Sequence, residues 1–504
     1  MNRPLTSRRP STEEIDKPQS NCGIVGIYGD PAASTLTYYG LHALQHRGQE
    51  ASGIVSCFST ANGEHSSRLR IYKGPGLVTE VFENQSLLDD LLIGDMAIGH
   101  NRYSTTGSDN LENIQPFMVN YRDGQLAVAH NGNLTNTRAL RRRLQDEGTI
   151  FQTSTDTEVI LHLTARSTAA TPEDRIMDAL NTVRGAYSLV MLHNDTLIAA
   201  RDPHGFRPLC IGRRGEAWVI ASETCALDIM QAEYVREVEP GEVLFFDTRM
   251  EENGQPVTRR LAMEPERYHH CIFEYIYFSR PDSRVFGENV DKIRRKLGKA
   301  LAEEHPVHGT PDDPVFIMSV PDSSNTAAIG FQRSSFKQGI EARYEIGMIR
   351  NHYIGRTFIQ PGQEKREMKV RMKFNTVRGV VEGRKVVIID DSIVRGTTSR
   401  LLLNLIREAN PRELHVRISS PPIMSGCPYG MDFPSGEELI AAQHQGDVDS
   451  IRREIGADTL GYLSKEKMLG CVSHEGKRGY CTGCFTGEYP VPVEENMRKD
   501  QHEM

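Results

Sequence analysis

Two folded units of different class are predicted. The first, to about residue 250, is an α+β unit with mostly antiparallel sheets, and the second is an open, doubly wound α/β unit. Three observations carry that prediction. The first half is a series of short β-rich runs separated by Gly, Asn and Asp turns. The second half holds two continuous apolar runs, each followed by a polar loop and a helical pattern. Between them, MEENGQPVTRR (250–260) is polar and turn-rich, as a linker is.

Residues 1–21, MNRPLTSRRPSTEEIDKPQSN, hold three prolines, mixed charge and almost nothing apolar, so a disordered head is expected. Composition changes abruptly at CGIVGIYGD, which reads as a strand starting at Cys22, after a tail or a processing site. GIVSCF (53–58), MAIGHNRYST (96–105), LAVAHNGNL (126–134), YSLVML (187–192), TLIAAR (196–201), AWVIAS (217–222) and GEVLFF (241–246) follow as strands. Helical spacing fits 36–45, 137–148 and 156–166. In the second half, DPVFIMSV (313–320) and GRKVVIIDD (383–391) read as parallel strands buried on both faces, leading into NTAAIGFQR and SRLLLNLIREA.

At 504 residues, two to four domains are expected from about 150 residues each. With 59 basic and 67 acidic side chains the formal charge is -8, which argues against a nucleic-acid or anionic-membrane binder. No stretch approaches the ~18 apolar residues of a membrane span. Nine cysteines, an odd number without a secretion signal, argue against a disulfide framework and for a soluble, cytoplasmic protein.

VVIIDDSIVRGTTS (386–399) is the most informative segment. Asp390 and Asp391 sit where a buried strand emerges, and adjacent carboxylates repel unless hydroxyls or a cation satisfy them. Ser392, Arg395, Gly396, Thr397, Thr398 and Ser399 then lead into a helix N-terminus, where close backbone approach, amides and hydroxyls suit a phosphate. Together they suit a ribose phosphate, with the carboxylates taking sugar hydroxyls or Mg²⁺; the alternative is an acidic turn that only caps a helix. The segment resembles the diphosphoribosyl-binding motif of type I phosphoribosyltransferases. The resemblance implies 5-phosphoribosyl-1-pyrophosphate (PRPP) as ligand, Mg²⁺ held by Asp390 and Asp391, and a second wall from Val320–Asn325 with Ser323 reaching the metal. It also implies a closing lid, for which 351–375 is the candidate, with Arg356, Lys365, Arg366, Lys369, Arg371 and Lys373.

Cys22 would be an ordinary core cysteine inside a chain. If the head is removed at Asn21–Cys22, it gains a free α-amine of pKa ~7.7 that can serve as general base to its own thiol. HRGQEASGI (46–54), GHNRYSTTG (99–107), HNGNL (130–134) and TSTDTEVI (153–160) resemble the class II glutamine amidotransferases in order and spacing. The resemblance implies an αββα N-terminal-nucleophile fold over 22–255. Arg102 would then grip the substrate α-carboxylate with Thr105 beside it, Asp156 would take the α-ammonium, and Asn131 with Gly132 would form an oxyanion hole.

Both sites in this order, with VRGVVEG, EYIYFSRPDS and CFTGEYP, are similar to the glutamine–PRPP amidotransferase family from Cys22 to about Pro490. That resemblance implies a phosphoribosyltransferase domain over 256–470 and a tail over 471–504. It implies channelled ammonia displacing pyrophosphate from PRPP to give 5-phosphoribosylamine, the first committed step of purine biosynthesis. Feedback by purine nucleotides and a homotetramer are implied as well. Asn21 stands where processed members often carry an acidic residue.

Cys481-Thr-Gly-Cys484 by itself fits a redox pair, half a zinc site or part of a cluster, and Cys271 and Cys427 are its possible distant partners. These four match the ligand positions of the family's iron–sulfur branch, which implies a structural [4Fe–4S] cluster pinning the tail onto both domains. Cys57, Cys210 and Cys225 read as core, and Cys471 is unassigned. A sugar-phosphate aminating enzyme would share the first half but lacks a reason for DDSIVRGTTS. A PRPP-sensing regulator of transcription would need a basic DNA-binding face and could dispense with Cys22, Arg102 and Asp156.

Overall fold

The structure is a computed structural model that describes residues 22–58, 68–103, 111–250, 254–351, 368, 370–434 and 436–493. The head before Cys22, Thr105, and Arg356, Lys365, Arg366 and Lys369 of the basic segment lie outside the described residues. Two compact units result. Among the described residues, the first takes 22–290, 426–433 and 473–493, and the second takes 291–425 and 434–472. The division falls at 290–291 rather than in 250–260, because Val257–Arg260 pairs as an edge strand with Glu242–Phe246. The segment around Cys427 likewise belongs to the first unit.

Among the described residues of the first unit, the two large sheets are built from β1 Gly23–Tyr28, β2 Ala51–Phe58, β3 Arg68–Pro75, β4 Met96–Arg102, β5 Phe117–Tyr121, β6 Gly124–Leu134, β7 Gly185–His193, β8 Thr196–Arg201, β9 Cys210–Arg214, β10 Ala217–Ala221, β11 Glu233–Glu237, β12 Glu242–Phe246 and β13 Val257–Arg260, with short helices between them. They form a seven-stranded sheet, β11-β9-β10-β1-β4-β2-β3, and a six-stranded sheet, β13-β12-β8-β7-β6-β5. Both are antiparallel throughout.

Period-two alternation explains the layering. On β1, Val25 and Ile27 join the helix Ala33–Ala43 through Leu36 and Leu41. Ile24 points the other way, into a core shared with Ala127 and Ala129 of β6 and with Val190 and Leu192 of β7. Those strands turn Val128, Leu189 and Met191 to a third core with helices Thr137–Asp146, Glu158–Arg166 and Pro172–Thr182. Helix, sheet, sheet, helix is the αββα arrangement that the resemblance implies. The strand runs from 187 and 196 are buried at every residue, because each is central in its sheet and covered on both faces.

In the second unit, five parallel strands run in the order Ala342–Tyr344, Val315–Ser319, Lys385–Asp390, Glu413–Ile418, Thr459–Tyr462. Val386 to Asp390 are all buried. Helix Thr397–Arg407 covers Val386, Ile388 and Val416 with Leu402, Leu403 and Ile406. The strand–loop–helix order places the Asp390–Asp391 pair at the carboxyl end of the sheet, where open α/β sheets bind ligands. The base of the lid candidate is a short ladder, Met348–Arg350 against Phe374–Thr376. Among the described residues, no helix is long and apolar enough to cross a membrane.

Candidate active sites

In the first unit, β1 and β4 pair antiparallel with Gly23 opposite Asn101, so one further step sets Cys22 against Arg102. Cys22 shares the inward face of Ile24, and Asn131 that of Ala129, so both point between the sheets. Cys22, Arg102, Tyr103, Asn113, Gln115, His130, Gly132, Thr155 and Asp156 line one pocket. The Cys22 thiol donates to the Tyr103 carbonyl at 3.5 Å. Burial pushes its pKa up to about 11, against the opposing pull of a backbone hydrogen bond from Tyr103 and of the Arg102 cation. The thiol is therefore neutral at rest, and any nucleophilic role for it needs a base.

Asn131 is fully buried, and among the described residues neither its side-chain oxygen nor its nitrogen has a hydrogen-bond partner. Leaving such an amide unsatisfied costs free energy unless a substrate or intermediate completes it. Next to it Gly132 lies at φ 148°, and a Cβ there would stand 2.1 Å from the Ala186 carbonyl oxygen, so only glycine fits. Asp156 Oδ2 accepts from the Leu134 N–H at 2.8 Å and lies 3.7 Å from His130 Nδ1, which fixes the carboxylate at the pocket wall.

A buried ion network braces the Arg102 end. Arg47 donates to Glu223 through Nε and to Glu274 through Nη2 at 2.6 Å, and all three side chains are fully buried. Burial alone would lower the pKa of Arg47 and raise that of Glu223; their mutual attraction reverses both. Breaking such a pair by removing one partner costs about 3–5 kcal/mol. The adjoining Gly48 lies against Arg102, where a Cβ would meet the Arg102 carbonyl at 2.7 Å. Nothing in HRGQE announced these partners, because they are 176 and 227 residues away.

In the second unit, Asp390 and Asp391 are both buried. Ser324 Oγ donates toward Asp390 Oδ1 at 3.1 Å and Asp391 Oδ2 at 3.4 Å, and Ser392 Oγ donates to Asp391 Oδ1 at 2.8 Å. Ser324 thus bridges the pair, while Ser323 stands behind it, its Oγ 3.4 Å from that of Ser324. Gly396 caps the helix at φ 77°, where a Cβ would stand 2.3 Å from Ile440. Thr397 and Thr398 then open the helix, and Arg395 is turned to Glu438 at 2.9 Å. Of the described lid cations, Arg371 pairs with Glu408 at 2.8 Å, and Lys373 lies 5.4 Å over the Phe374 ring.

The four cysteines come together. Cys271 pairs with Cys481 across two two-residue parallel strands, and Cys484 follows in the helix Gly483–Thr486. With Cys427 they line one cavity, walled by Phe206, Tyr429, Phe433 and Tyr489. All four belong to the first unit, which corrects the expectation that they pin the tail onto both domains: residues 426–433 fold back to the first unit, held by Arg207 to the Tyr429 carbonyl and Asn133 to the Pro428 carbonyl. All nine cysteines are free. Among the described residues, no three His, Cys, Asp or Glu side chains stand close enough to hold a single ion. Four thiols around one apolar cavity are a donor set that suits a soft metal group. Cys57, Cys210 and Cys225 are core, as expected, and Cys471 donates to the Lys467 carbonyl at 3.2 Å.

An N-terminal-nucleophile unit with a cysteine-headed pocket, joined to a phosphoribosyltransferase-type unit, defines a glutamine amidotransferase that serves a transferase. Residues 100–228 match the glutamine amidotransferase domain family. The chain is 49% identical to amidophosphoribosyltransferase 2, chloroplastic, of Arabidopsis thaliana, over 99% of this chain and 85% of that one. The structure described as the allosteric regulatory enzyme of purine biosynthesis superposes with a TM-score of 0.85 at 48% identity, covering 94% of this chain and 97% of that one. Glutamine PRPP amidotransferase from B. subtilis, complexed with ADP and GMP, gives 0.84 at 47%, covering 95% and 99%. The chain belongs to the amidophosphoribosyltransferase family and is an enzyme of the first step of purine biosynthesis.

Proposed function

We propose that Cys22 Sγ attacks the side-chain amide carbon of glutamine, and that the C–N bond breaks to release ammonia. Water then hydrolyses the thioester to glutamate. The buried, unsatisfied Asn131 amide beside the Gly132 N–H carries this reading, since it is where the developing oxyanion needs donors. Arg102 takes the α-carboxylate with Thr105, and Asp156 takes the α-ammonium. The base is the α-amine that Cys22 gains on removal of residues 1–21.

In the second unit, ammonia displaces pyrophosphate from C1 of PRPP to leave 5-phosphoribosylamine. The Thr397–Thr398 helix start and Arg395 take the 5-phosphate, and Asp390 and Asp391 take the ribose hydroxyls. The oxygen-only donor set of the buried Asp390 and Asp391 with Ser323 suits Mg²⁺, which supplies charge neutralisation on the pyrophosphate when bound. Cys271, Cys427, Cys481 and Cys484 hold a [4Fe–4S] cluster, which when bound supplies a cross-link among three chain segments. Purine nucleotide feedback, a homotetramer and a cytoplasmic location complete the reading, on the resemblance to family members and the free cysteines.

Processing is testable directly. Mass spectrometry of the active protein is expected to find a chain beginning at Cys22. Its kcat/KM for glutamine is expected to rise with pH through the amine's pKa of ~7.7, since the free base is the active form. An active chain that retains Met1 would exclude the α-amine as base.

A further inference from the structure

Gly132 has to hold an N–H donor in a fixed direction, and glycine itself contributes little to that. Without a Cβ, its φ and ψ are the least restrained of any residue, so its neighbours must supply the restraint. β7 supplies part of it, pairing Tyr187 with Gly132 and Ala186 with Asn133. β5, on the other edge of β6, reaches only Val128, through Phe117, and stops short of Gly132.

Residues 428–432 supply a second support. Asn133 Nδ2 donates to the Pro428 carbonyl at 2.8 Å. Gly430 lies at φ 93°, and a Cβ there would stand 2.8 Å from the Gly132 carbonyl carbon, 2.9 Å from its oxygen and 3.3 Å from the Asn133 nitrogen. Backbone therefore packs directly on the peptide that leaves Gly132, with no room for a side chain between them. Tyr103, whose carbonyl accepts the Cys22 thiol, donates its hydroxyl to Asp432 Oδ2 at 3.5 Å. Both Tyr103 and Gly132 line the Cys22 pocket, so these contacts back its wall.

The supporting segment is itself anchored. The Tyr429 ring stacks on Phe206 with centroids 4.2 Å apart, and its carbonyl accepts from the buried Arg207 at 2.6 Å. Its hydroxyl donates to the Val491 carbonyl at 2.9 Å. Tyr429, Phe206, Val491 and Ala186 form a small core, and Ala186 is the strand partner of Asn133. The core is thus built on the stretch of β7 that already pairs with the Gly132 region.

We propose that residues 428–432 are the backing of the oxyanion hole, with Gly430 as its positioning residue: backbone pressed on the Gly132–Asn133 peptide fixes the direction of the Gly132 N–H. This rests on reading Asn131 and Gly132 as the oxyanion hole.

The test uses the full chain and two inhibitors of glutamine hydrolysis, glutamate and glutamate γ-semialdehyde. Cys22 Sγ adds to the aldehyde carbon, the C=O π bond opens, and the thiol proton passes to that oxygen, which then stands in the hole. Glutamate reports the resting pocket alone. Gly430→Ala is expected to raise the inhibition constant of the aldehyde at least about tenfold and that of glutamate less than about twofold. For glutamine, kcat is expected to fall at least about tenfold and KM to change less than about threefold. The ratio of the two inhibition constants does not depend on how much protein is folded, so a merely structural role would not move it. Asn133→Ala, which removes the tie to Pro428 and adds no atom, is expected to shift the ratio the same way by about threefold. It decides the matter if Gly430→Ala fails to fold. An unchanged ratio, whatever happens to kcat, would overturn the proposal alone if Asn131→Ala still weakens the aldehyde. Should Asn131→Ala leave the aldehyde as tightly bound as before, the oxyanion-hole reading falls and the proposal with it.

Discussion

Replacing Cys22 with serine is expected to remove glutamine-dependent synthesis by at least about 10³-fold while leaving synthesis from ammonium salts within about twofold. The thiol is the proposed nucleophile, and a serine hydroxyl in its place is a far weaker one. Cys22 opens β1 in the space between the two sheets, where its thiol donates to the Tyr103 carbonyl at 3.5 Å, and serine keeps its shape. The second unit has its own sheet and its own core, and Cys22 contributes to neither. Assays with glutamine and with ammonium chloride, each following pyrophosphate, check this. Loss of both activities in a folded protein would defeat the two-site account.

Asp391→Asn is expected to lower synthesis at least about 10²-fold whether glutamine or ammonia supplies the nitrogen. Asp391 is buried with its oxygens held by Ser392 and Ser324, so the substitution keeps the shape and removes a charge. On the proposed reading, the site then loses a hard anionic ligand for Mg²⁺ and a partner for the ribose hydroxyls. Steady-state rates with both nitrogen donors, over a range of Mg²⁺ concentrations, measure the effect. A variant impaired with glutamine alone would move Asp391 out of the PRPP site.

How much of this was legible in the sequence depends on the range of the physics involved. Strands such as Tyr187–Leu192 and Lys385–Asp390 announced themselves because burial on both faces demands a continuous apolar run. Asp390–Asp391 and Gly396 were legible because charge repulsion and a left-handed cap leave few residues to choose from. The hydrogen bonds from Ser324 to Asp390 and Asp391 were not, since they depend on the local turn of the chain after Ser319. The return of 426–433 to the first unit was not legible either, because it rests on single contacts such as Asn133 to Pro428 across 295 residues. Arg47, Arg207, Glu223 and Glu274 were passed over for the same reason: each looks like a surface charge until its partner is known. Lid residues Arg356, Lys365, Arg366 and Lys369, like Thr105, lie outside the described residues.

The central claim is that one chain couples glutamine hydrolysis at Cys22 to pyrophosphate release at Asp390–Asp391. The most direct measurement is glutamate and pyrophosphate production in parallel by protein purified without air, with and without PRPP and Mg²⁺. The account predicts that the two products appear together in a ratio near one, with little glutamate when PRPP is absent. Glutamate released at the same rate with no pyrophosphate, under saturating PRPP and Mg²⁺, would contradict it.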